Sequence, residues 1–265
     1  MARIIYQKPI DQVADNASVV TVSSENAAYP KANLSDGNPA KPFKFTATTG
    51  NIVWDFGSAQ SLDIFAIIHH NLTAALANVK IQGNATDSWG APSLDQAVVI
   101  PAYRDDGYPR NPWVDLSGIG SRSFRYWRLV FGTANGANIA LGEVWLGALK
   151  RSLTHNISWG YDKGVIRPSI VHRTRYGVKL TYDLAAPRQY IKGPVQTSDA
   201  GAEAMRDLFD ATRGQTGRFL VVEDPLINDA MIMEWTSDEF KMQREFANNV
   251  HLNLDWEEAS RGLVL

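Results

Sequence analysis

The chain has 265 residues, 45% of them hydrophobic, enough to bury the core of one large domain or of two ordinary ones. Its formal net charge is -2 and it has no basic run, which argues against a nucleic-acid-binding face and against sequence readout of nucleic acid. Because cysteine is absent, disulfides, thiol nucleophiles, iron–sulfur clusters and cysteine-ligated zinc are excluded.

The N-terminal segment, MARIIYQKPIDQV, has too short an apolar run for a secretion signal. No later apolar run is long enough to span a bilayer as a helix. We therefore expect a chain that is not exported by the usual route and that has no membrane span.

Short strands separated by turns rich in Gly, Pro, Asn and Asp are predicted from Val19 to about Leu149. In NIVWDFG, the large apolar residues Ile52, Trp54 and Phe56 alternate along a strand. The segment SFRYWRLVFG alternates imperfectly, as a bulged strand does, through Phe124, Tyr126, Leu129 and Phe131. No helical period persists for three turns, so an all-β sandwich is expected.

Two adjacent histidines, His69 and His70, follow the apolar run LDIFAII and precede Asn71. A catalytic or zinc-binding pair needs partners at usable spacing, such as an HExxH helix or a third ligand. The sequence supplies none, so we expect one ring to pack at a strand end while Asn71 bonds turn backbone.

The second half of the chain predicts an α+β module. Its one convincing helix, SDAGAEAMRDLFDATRG, begins after a capping Ser198 and ends at Gly214. The apolar stripe of this helix consists of Met205, Leu208, Phe209 and Thr212. Strands are expected at GVKLTYDL, RFLVVED, AMIMEWT and NNVHLNLDWEE.

The predicted fold class is therefore mainly β: a jelly-roll sandwich followed by an antiparallel sheet with one helix. We place the domain boundary between residues 147 and 152, which gives a sandwich domain of residues 1–149 and an α+β domain of residues 150–265. No flexible linker separates them, so close packing of the two domains is expected. A fragment ending near Leu149 is expected to fold alone.

Three stretches carry a resemblance to a known family: YPKANLSDGNPAKPFKFT, IVWDFGSAQSLDIFAI and FRYWRLVFG followed by ANIALGEVWLG. In this order they resemble the discoidin (coagulation factor 5/8 type C) domain, a jelly roll shared with many carbohydrate-binding modules. The resemblance covers about half of the chain. It implies a structural calcium site in which Asp36 and Glu143 match two ligands, although Lys41 stands where a hydroxyl ligand is expected.

Two further features, IIHHNL and YWRL followed by LGEVWLG, are similar to the discoidin-like domains of tailed-bacteriophage tail proteins. The second half also resembles modules of distal tail and tail-tip proteins. This resemblance implies a structural subunit at or near the distal tail, tail tip or baseplate. It implies a homo-oligomeric ring, six-fold rather than three-fold, other tail proteins as partners, and a virion protein made in the host cytoplasm.

A ligand surface, if the sandwich has one, is expected on the loop-rich segment between residues 86 and 116. Rings there can stack on a sugar or contact a protein, and polar neighbours can bond hydroxyls, although the same rings can also plug the sandwich end. The candidate residues are Trp89, Tyr103, Asp105, Asp106 and Tyr108.

Two functions remain open: a tail structural subunit whose discoidin-like module braces or decorates a ring, or a lectin-like carbohydrate-binding module that attaches to host glycans. No G-x-S-x-G elbow, GxGxxG, P-loop or EF-hand series occurs. Neighbouring carboxylates on a strand point to opposite faces, so they do not form a glycosidase pair. We therefore expect no enzyme activity and no cofactor besides the calcium.

Overall fold

A computed structural model describes residues 4–104, 107–153, 161–173, 175–176, 179–183, 187–246 and 249–259. The strands of the first half are β1 (Ile5–Gln7), β2 (Val19–Val22), β3 (Phe43–Lys44), β4 (Gly50–Ser61), β5 (Ile64–His70), β6 (Val79–Asn84), β7 (Leu94–Ala97), β8 (Trp113–Asp115), β9 (Ser123–Phe131) and β10 (Ala140–Gly147). The remaining elements are β11 (Arg151–Ser152), β12 (Asp162–Ile166), β13 (Ser169–Arg173), β14 (Lys179–Asp183), β15 (Arg188–Thr197), α1 (Asp199–Thr212), β16 (Arg218–Val222), β17 (Met231–Trp235), β18 (Met242–Phe246) and β19 (Asn249–Glu258).

The first half forms a sandwich of two antiparallel sheets. One sheet has the strand order β2-β4-β9-β6-β7, and the facing sheet has the order β3-β10-β5-β8. Their inner faces enclose one apolar core that includes Ile52, Trp54, Trp127 and Leu129. The prediction of a mainly β chain that begins with a jelly-roll sandwich and continues as an antiparallel sheet with one helix is confirmed.

The two inner strands of the four-stranded sheet, β5 and β10, are buried on both faces. Alternate residues of β5 point to different cores: Phe65 and Ile67 to the sandwich core, Ile64 and Ala66 to a second core behind the sheet. Strand β10 is buried along its whole length. This explains why the stretch IFAII, residues 64–68, is continuously apolar rather than alternating, because neither side of the strand meets water.

The second core joins the sandwich to an eight-stranded sheet of order β11-β1-β16-β17-β19-β15-β12, in which β18 also pairs with β19. Strand β16 again alternates: Leu220 and Val222 face the sandwich, whereas Phe219 and Val221 face α1. The molecule is thus four layers deep, with the five-stranded sheet outermost at one side and the helix outermost at the other.

Helix α1 begins and ends where its sequence predicts. The Ser198 hydroxyl accepts a hydrogen bond from the Gly201 backbone N–H at 3.1 Å, which caps the first turn. The helix ends at Thr212, and its C-cap residue Arg213 adopts the left-handed conformation with φ 52°, followed by Gly214 with φ 62°. The stripe packs on the sheet core, with Phe209 less buried than the other members.

The first strand belongs to the eight-stranded sheet rather than to the sandwich. Ile5 pairs with Val222 on one side and with Ser152 on the other, although residues 1–149 are predicted to form one domain. The chain therefore crosses between the two halves twice. Whether a boundary near Leu149 separates two folding units stays a prediction.

No helix within the described ranges has both the length and the apolar composition that crossing a bilayer requires.

Candidate functional site

The two residues expected to bind calcium lie near each other, beside an arginine. Asp36 sits in a turn, where its Oδ1 accepts a hydrogen bond from Asn38 N at 2.8 Å. Glu143 is buried in β10 and its Oε2 lies 2.9 Å from Nη1 of Arg218. Burial raises the pKa of Glu143, and the neighbouring Arg218 opposes that rise. No group of three His, Cys, Asp or Glu suited to a metal ion occurs among the described residues.

The tyrosines expected to bind a ligand belong to a segment that docks on the second half. The Tyr103 hydroxyl donates to Leu72 O at 3.0 Å, and its side chain is 41% exposed. Tyr108 is partly buried, and its carbonyl accepts from the Arg104 backbone N–H. Arg104 in turn donates through Nε and Nη2 to both carboxylate oxygens of Asp229, at 2.9 and 3.1 Å. This segment connects the two halves.

The expected residues Asp105 and Asp106 lie outside the described residues.

Trp89 lies elsewhere, on the loop between β6 and β7, against the outer face of the five-stranded sheet. Its indole N–H donates to Asp87 Oδ1 at 2.6 Å. The guanidinium of Arg128 lies 4.4 Å from the centroid of the indole ring, a cation–π distance. Arg128 is itself held by Gln82, whose Oε1 accepts from Nε at 2.8 Å and from Nη2 at 2.6 Å. The ring is therefore fixed in position while it stays partly exposed.

Further polar groups extend this arrangement across the sheet. Gln82 Nε2 donates to Asp95 Oδ1 at 2.8 Å, and Lys80 Nζ lies 2.6 Å from Asp95 Oδ2. The hydrogen bond from Lys80 is the main reason that the pKa of Asp95 is lowered. We call these residues the outer-face cluster, which comprises Lys80, Gln82, Asp87, Trp89, Asp95 and Arg128.

A second ring, that of Tyr126, lies on the same face of β9 beside the cluster. Arg125 stands 4.8 Å from its ring centroid and donates to both oxygens of Asp55, at 2.7 and 2.9 Å. This bidentate contact lowers the pKa of Asp55 to about 2, with help from the Gly57 backbone N–H. The face thus offers two aromatic rings among charged and amide groups.

The imperfect alternation in SFRYWRLVFG groups Tyr126 with Phe124, Leu129 and Phe131, and it gives no sign of Arg128. The register between β4 and β9 shifts between Asp55 and Gln60, so the alternation of inward residues resumes at Trp127 instead of Tyr126. The sequence did signal an irregularity, but it could not show which residues the irregularity turns outward. Arg128 has no local signal, because only the sheet pairing places it opposite Gln82.

The two histidines do not form a shared site. The His70 ring is buried at the end of β5, with Nε2 2.9 Å from Arg110 O, and Nδ1 accepts from Leu72 N at 3.1 Å. His69 has φ 50°, and its ring lies 3.9 Å from the Glu258 carboxylate. The expectation that one ring packs at the strand end is confirmed at His70.

Asn71, next in the chain, bonds the backbone of the loop before β10. It donates to Asn138 O at 2.8 Å and accepts from Ala140 N at 2.8 Å. These two bonds fix the corner after β5, which agrees with the turn-forming role expected from the sequence.

Comparison with solved structures finds carbohydrate-binding modules of low identity. A structure of the CBM32-1, CBM32-2 and M60 catalytic domains of Clostridium perfringens ZmpB is 11% identical, with 56% of this chain and 17% of that chain covered and a TM-score of 0.42. A chitosan-binding module from a Paenibacillus sp. IK-5 chitosanase/glucanase is 21% identical, with 52% of this chain and 98% of that module covered and a TM-score of 0.39. A fucose binding module of Streptococcus pneumoniae is 16% identical, with coverages of 52% and 98% and a TM-score of 0.39.

These likenesses concern about half of this chain, and likeness at this level does not identify a ligand. This chain spans only about a sixth of the Clostridium protein with which it aligns. No family model matches the sequence, and no curated protein matches it. The comparisons do not show a tail protein.

Proposed function

We propose that the chain binds carbohydrate and that a sugar ring docks on the outer-face cluster. The observation that carries this proposal is the indole of Trp89, which stays partly exposed although Asp87 holds its nitrogen and Arg128 covers one of its faces. An aromatic ring that is fixed in position and exposed to solvent can stack on the apolar face of a sugar. Because the ring is already fixed, binding loses little side-chain entropy there.

The charges on this face favour a neutral sugar over an acidic one. Each of the three basic residues around the two rings already has a partner, in the pairs Arg125–Asp55, Lys80–Asp95 and Arg128–Gln82. An acidic sugar has to compete with those partners, whereas hydroxyl groups can share them as donors and acceptors. We therefore propose neutral glycans, including those on a host cell surface, as the ligand class.

A Trp89→Ala variant tests this proposal. A glycan array with the whole protein identifies the probe, and calorimetric titration with that probe compares wild type and variant. Loss of the stacking surface is expected to weaken binding about tenfold or more. The matched control is Tyr176→Ala, because Tyr176 is 91% exposed but lies beyond β13 in the second half. Equal affinity of Trp89→Ala and wild type contradicts the proposal, as does an array without any neutral-glycan signal.

A second candidate function, a structural subunit of a phage tail, is favoured by an exposed hairpin in the second half. Strands β13 and β14 pair only with each other in the described sheets, and every residue of β13 is exposed. Two of those residues are apolar, Ile170 at 41% and Val171 at 48% exposure. A lone two-stranded hairpin is marginally stable in water, so a neighbouring subunit that covers it stabilises it.

Charge indicates which surface of a neighbouring copy can cover the hairpin. The solvent face of α1 is acidic, and its most exposed carboxylates are Glu203, Asp207 and Asp210, with 62%, 68% and 67% side-chain exposure. The hairpin and its turn carry exposed basic residues, namely Arg173, Arg175 and Lys179. A contact between two different surfaces of identical subunits is heterologous and can close into a ring.

In this role the chain is a ring-forming subunit at or near the distal tail, with six-fold symmetry favoured over three-fold. Its partners are copies of itself and other tail proteins, and its location is the virion after synthesis in the host cytoplasm. Strand β12 lies at the edge of the eight-stranded sheet and offers a further pairing surface. Neither proposed role includes catalysis.

Charge reversal tests the subunit role. Glu203→Lys with Asp207→Lys on the helix, or Arg173→Glu with Arg175→Glu on the hairpin, is expected to weaken self-association in sedimentation experiments. Mixing the two variants restores association through the reversed pair, which a nonspecific effect does not do. Association that is unchanged in both variants overturns this proposal. So does virion density, reconstructed without imposed symmetry, that shows only a single copy of the chain.

A further inference from the structure

A positively charged side chain, that of Arg218, lies at the place where the discoidin resemblance implies a calcium ion. Arg218 is the first residue of β16, a strand of the second half, and it reaches Glu143 on β10 of the sandwich. The Glu143 side chain is 4% exposed and that of Arg218 is 22% exposed. The contact is therefore a largely buried ion pair between the two halves, and its oxygen–nitrogen distance of 2.9 Å is that of a charge-assisted hydrogen bond.

The guanidinium also fills the space beside the Asp36 turn. A β-carbon built on Gly37 stands 2.8 Å from Arg218 Nη2, so a larger residue there shifts the end of the arginine side chain. Gly37 has φ 75°, which favours glycine for a second, independent reason. The turn that is expected to face a metal ion faces a guanidinium instead.

Other carboxylates surround the same cation. Burial raises the pKa of Asp15, of Glu143 and of Glu234, and in each case the positive charge of Arg218 opposes that rise. Asp15 and Asp36 both act to raise the pKa of Glu143, so these three acidic groups repel one another. A positive charge among them stabilises their ionised forms, and Arg218 supplies it.

We infer that Arg218 is a built-in substitute for a divalent cation, so that the sandwich needs no calcium and depends on the second half for its charge balance. A calcium ion at this position has to displace the guanidinium from Glu143, and no group of three His, Cys, Asp or Glu among the described residues suits a metal ion. The donor set that remains around Glu143 therefore does not fit the ion that the resemblance implies.

Thermal unfolding of the whole protein tests this inference in two independent ways. The melting temperature of the wild type is expected to be the same in chelator and in excess calcium chloride. Arg218→Met is expected to lower the melting temperature by several degrees, because it leaves Glu143 buried without a partner. Adding Glu143→Gln to that variant is expected to recover much of the loss, since the unpaired charge is then removed.

The matched control is Lys241→Met, which breaks an exposed ion pair with Glu239 and is expected to have little effect. A calcium-dependent rise in the wild-type melting temperature overturns the inference. The inference is also overturned if Glu143→Gln lowers the melting temperature of the Arg218→Met variant by as much as it lowers that of the wild type. If Arg218→Met does not fold, the chelator comparison on the wild type and the folding of the double variant still decide the question.

Discussion

Mild acid is expected to destabilise this protein through His70. The buried ring uses both nitrogens: Nε2 bonds Arg110 O, and Nδ1 accepts the Leu72 N–H. A second ring proton has to face that N–H group, and the charge has no water around it. Burial is the main reason that the pKa of His70 is lowered from 6.5 to about 4, and the adjacent His69 lowers it further while the bond to Arg110 opposes the shift.

The sign and size of the effect follow from linkage. The unfolded chain binds a proton at His70 below about pH 6.5, whereas the folded chain does so only below about pH 4. The contribution of the neutral ring to the free energy of unfolding is therefore complete above pH 6.5 and is lost as the pH falls to 4. A pKa difference of about 2.5 units at about 1.4 kcal/mol per unit gives about 3 kcal/mol.

Urea unfolding between neutral pH and pH 4 measures this loss when wild type is compared with His70→Asn. The asparagine Oδ1 can replace Nδ1 as acceptor for the Leu72 N–H, and the variant does not titrate in this range. The wild-type free energy of unfolding is expected to fall about 3 kcal/mol further than that of the variant. His172→Asn is the control, because His172 is exposed on β13. Parallel pH profiles of wild type and His70→Asn refute the reasoning.

Two further outcomes concern packing. Gly83→Ala is expected to lower the free energy of unfolding in chemical denaturation by about 1–3 kcal/mol, because the new β-carbon stands 2.3 Å from a carbon of the Phe124 ring. Gly90→Ala is the control and is expected to leave the free energy of unfolding unchanged, because the space around Gly90 is open. Equal effects of the two substitutions contradict this account. A fragment of residues 9–149 is expected to have the circular-dichroism spectrum of an all-β protein and to unfold cooperatively. It is also expected to bind a hydrophobic dye, because removal of the second half uncovers the face that contains Ile64 and Trp145. A spectrum of an unfolded chain rules out an independently folding sandwich.

The sequence predicts the elements of this fold well because their signals are local. Strand alternation at Ile52, Trp54 and Phe56 reflects one buried sheet face, and the Ser198 cap reflects an unpaired helix terminus. The buried stripe of β19, formed by Val250, Leu252, Leu254 and Trp256, is likewise a single-strand pattern. Each of these predictions requires only residues within one turn or one strand.

Features that depend on distant pairing were not predictable in the same way. Ile5 pairs with Val222, more than two hundred residues away, and three residues of strand carry no signal for that choice. Arg218 looks like an ordinary strand residue until the fold places it beside Glu143. The candidate site has the same origin, since Trp89 was identified from its loop but its partner Arg128 comes from the adjoining strand.

The layer order makes the two proposed roles compatible within one chain. The outer-face cluster lies on the five-stranded sheet, and the acidic face of α1 lies at the opposite side of the molecule, beyond the four-stranded and eight-stranded sheets. Contacts through the helix therefore leave the ring of Trp89 open to solvent. Since β10 of the four-stranded sheet is buried along its whole length, the two halves share an apolar core instead of being joined only by a linker. A subunit built in this way can present a glycan-binding face while its other side is held in an assembly.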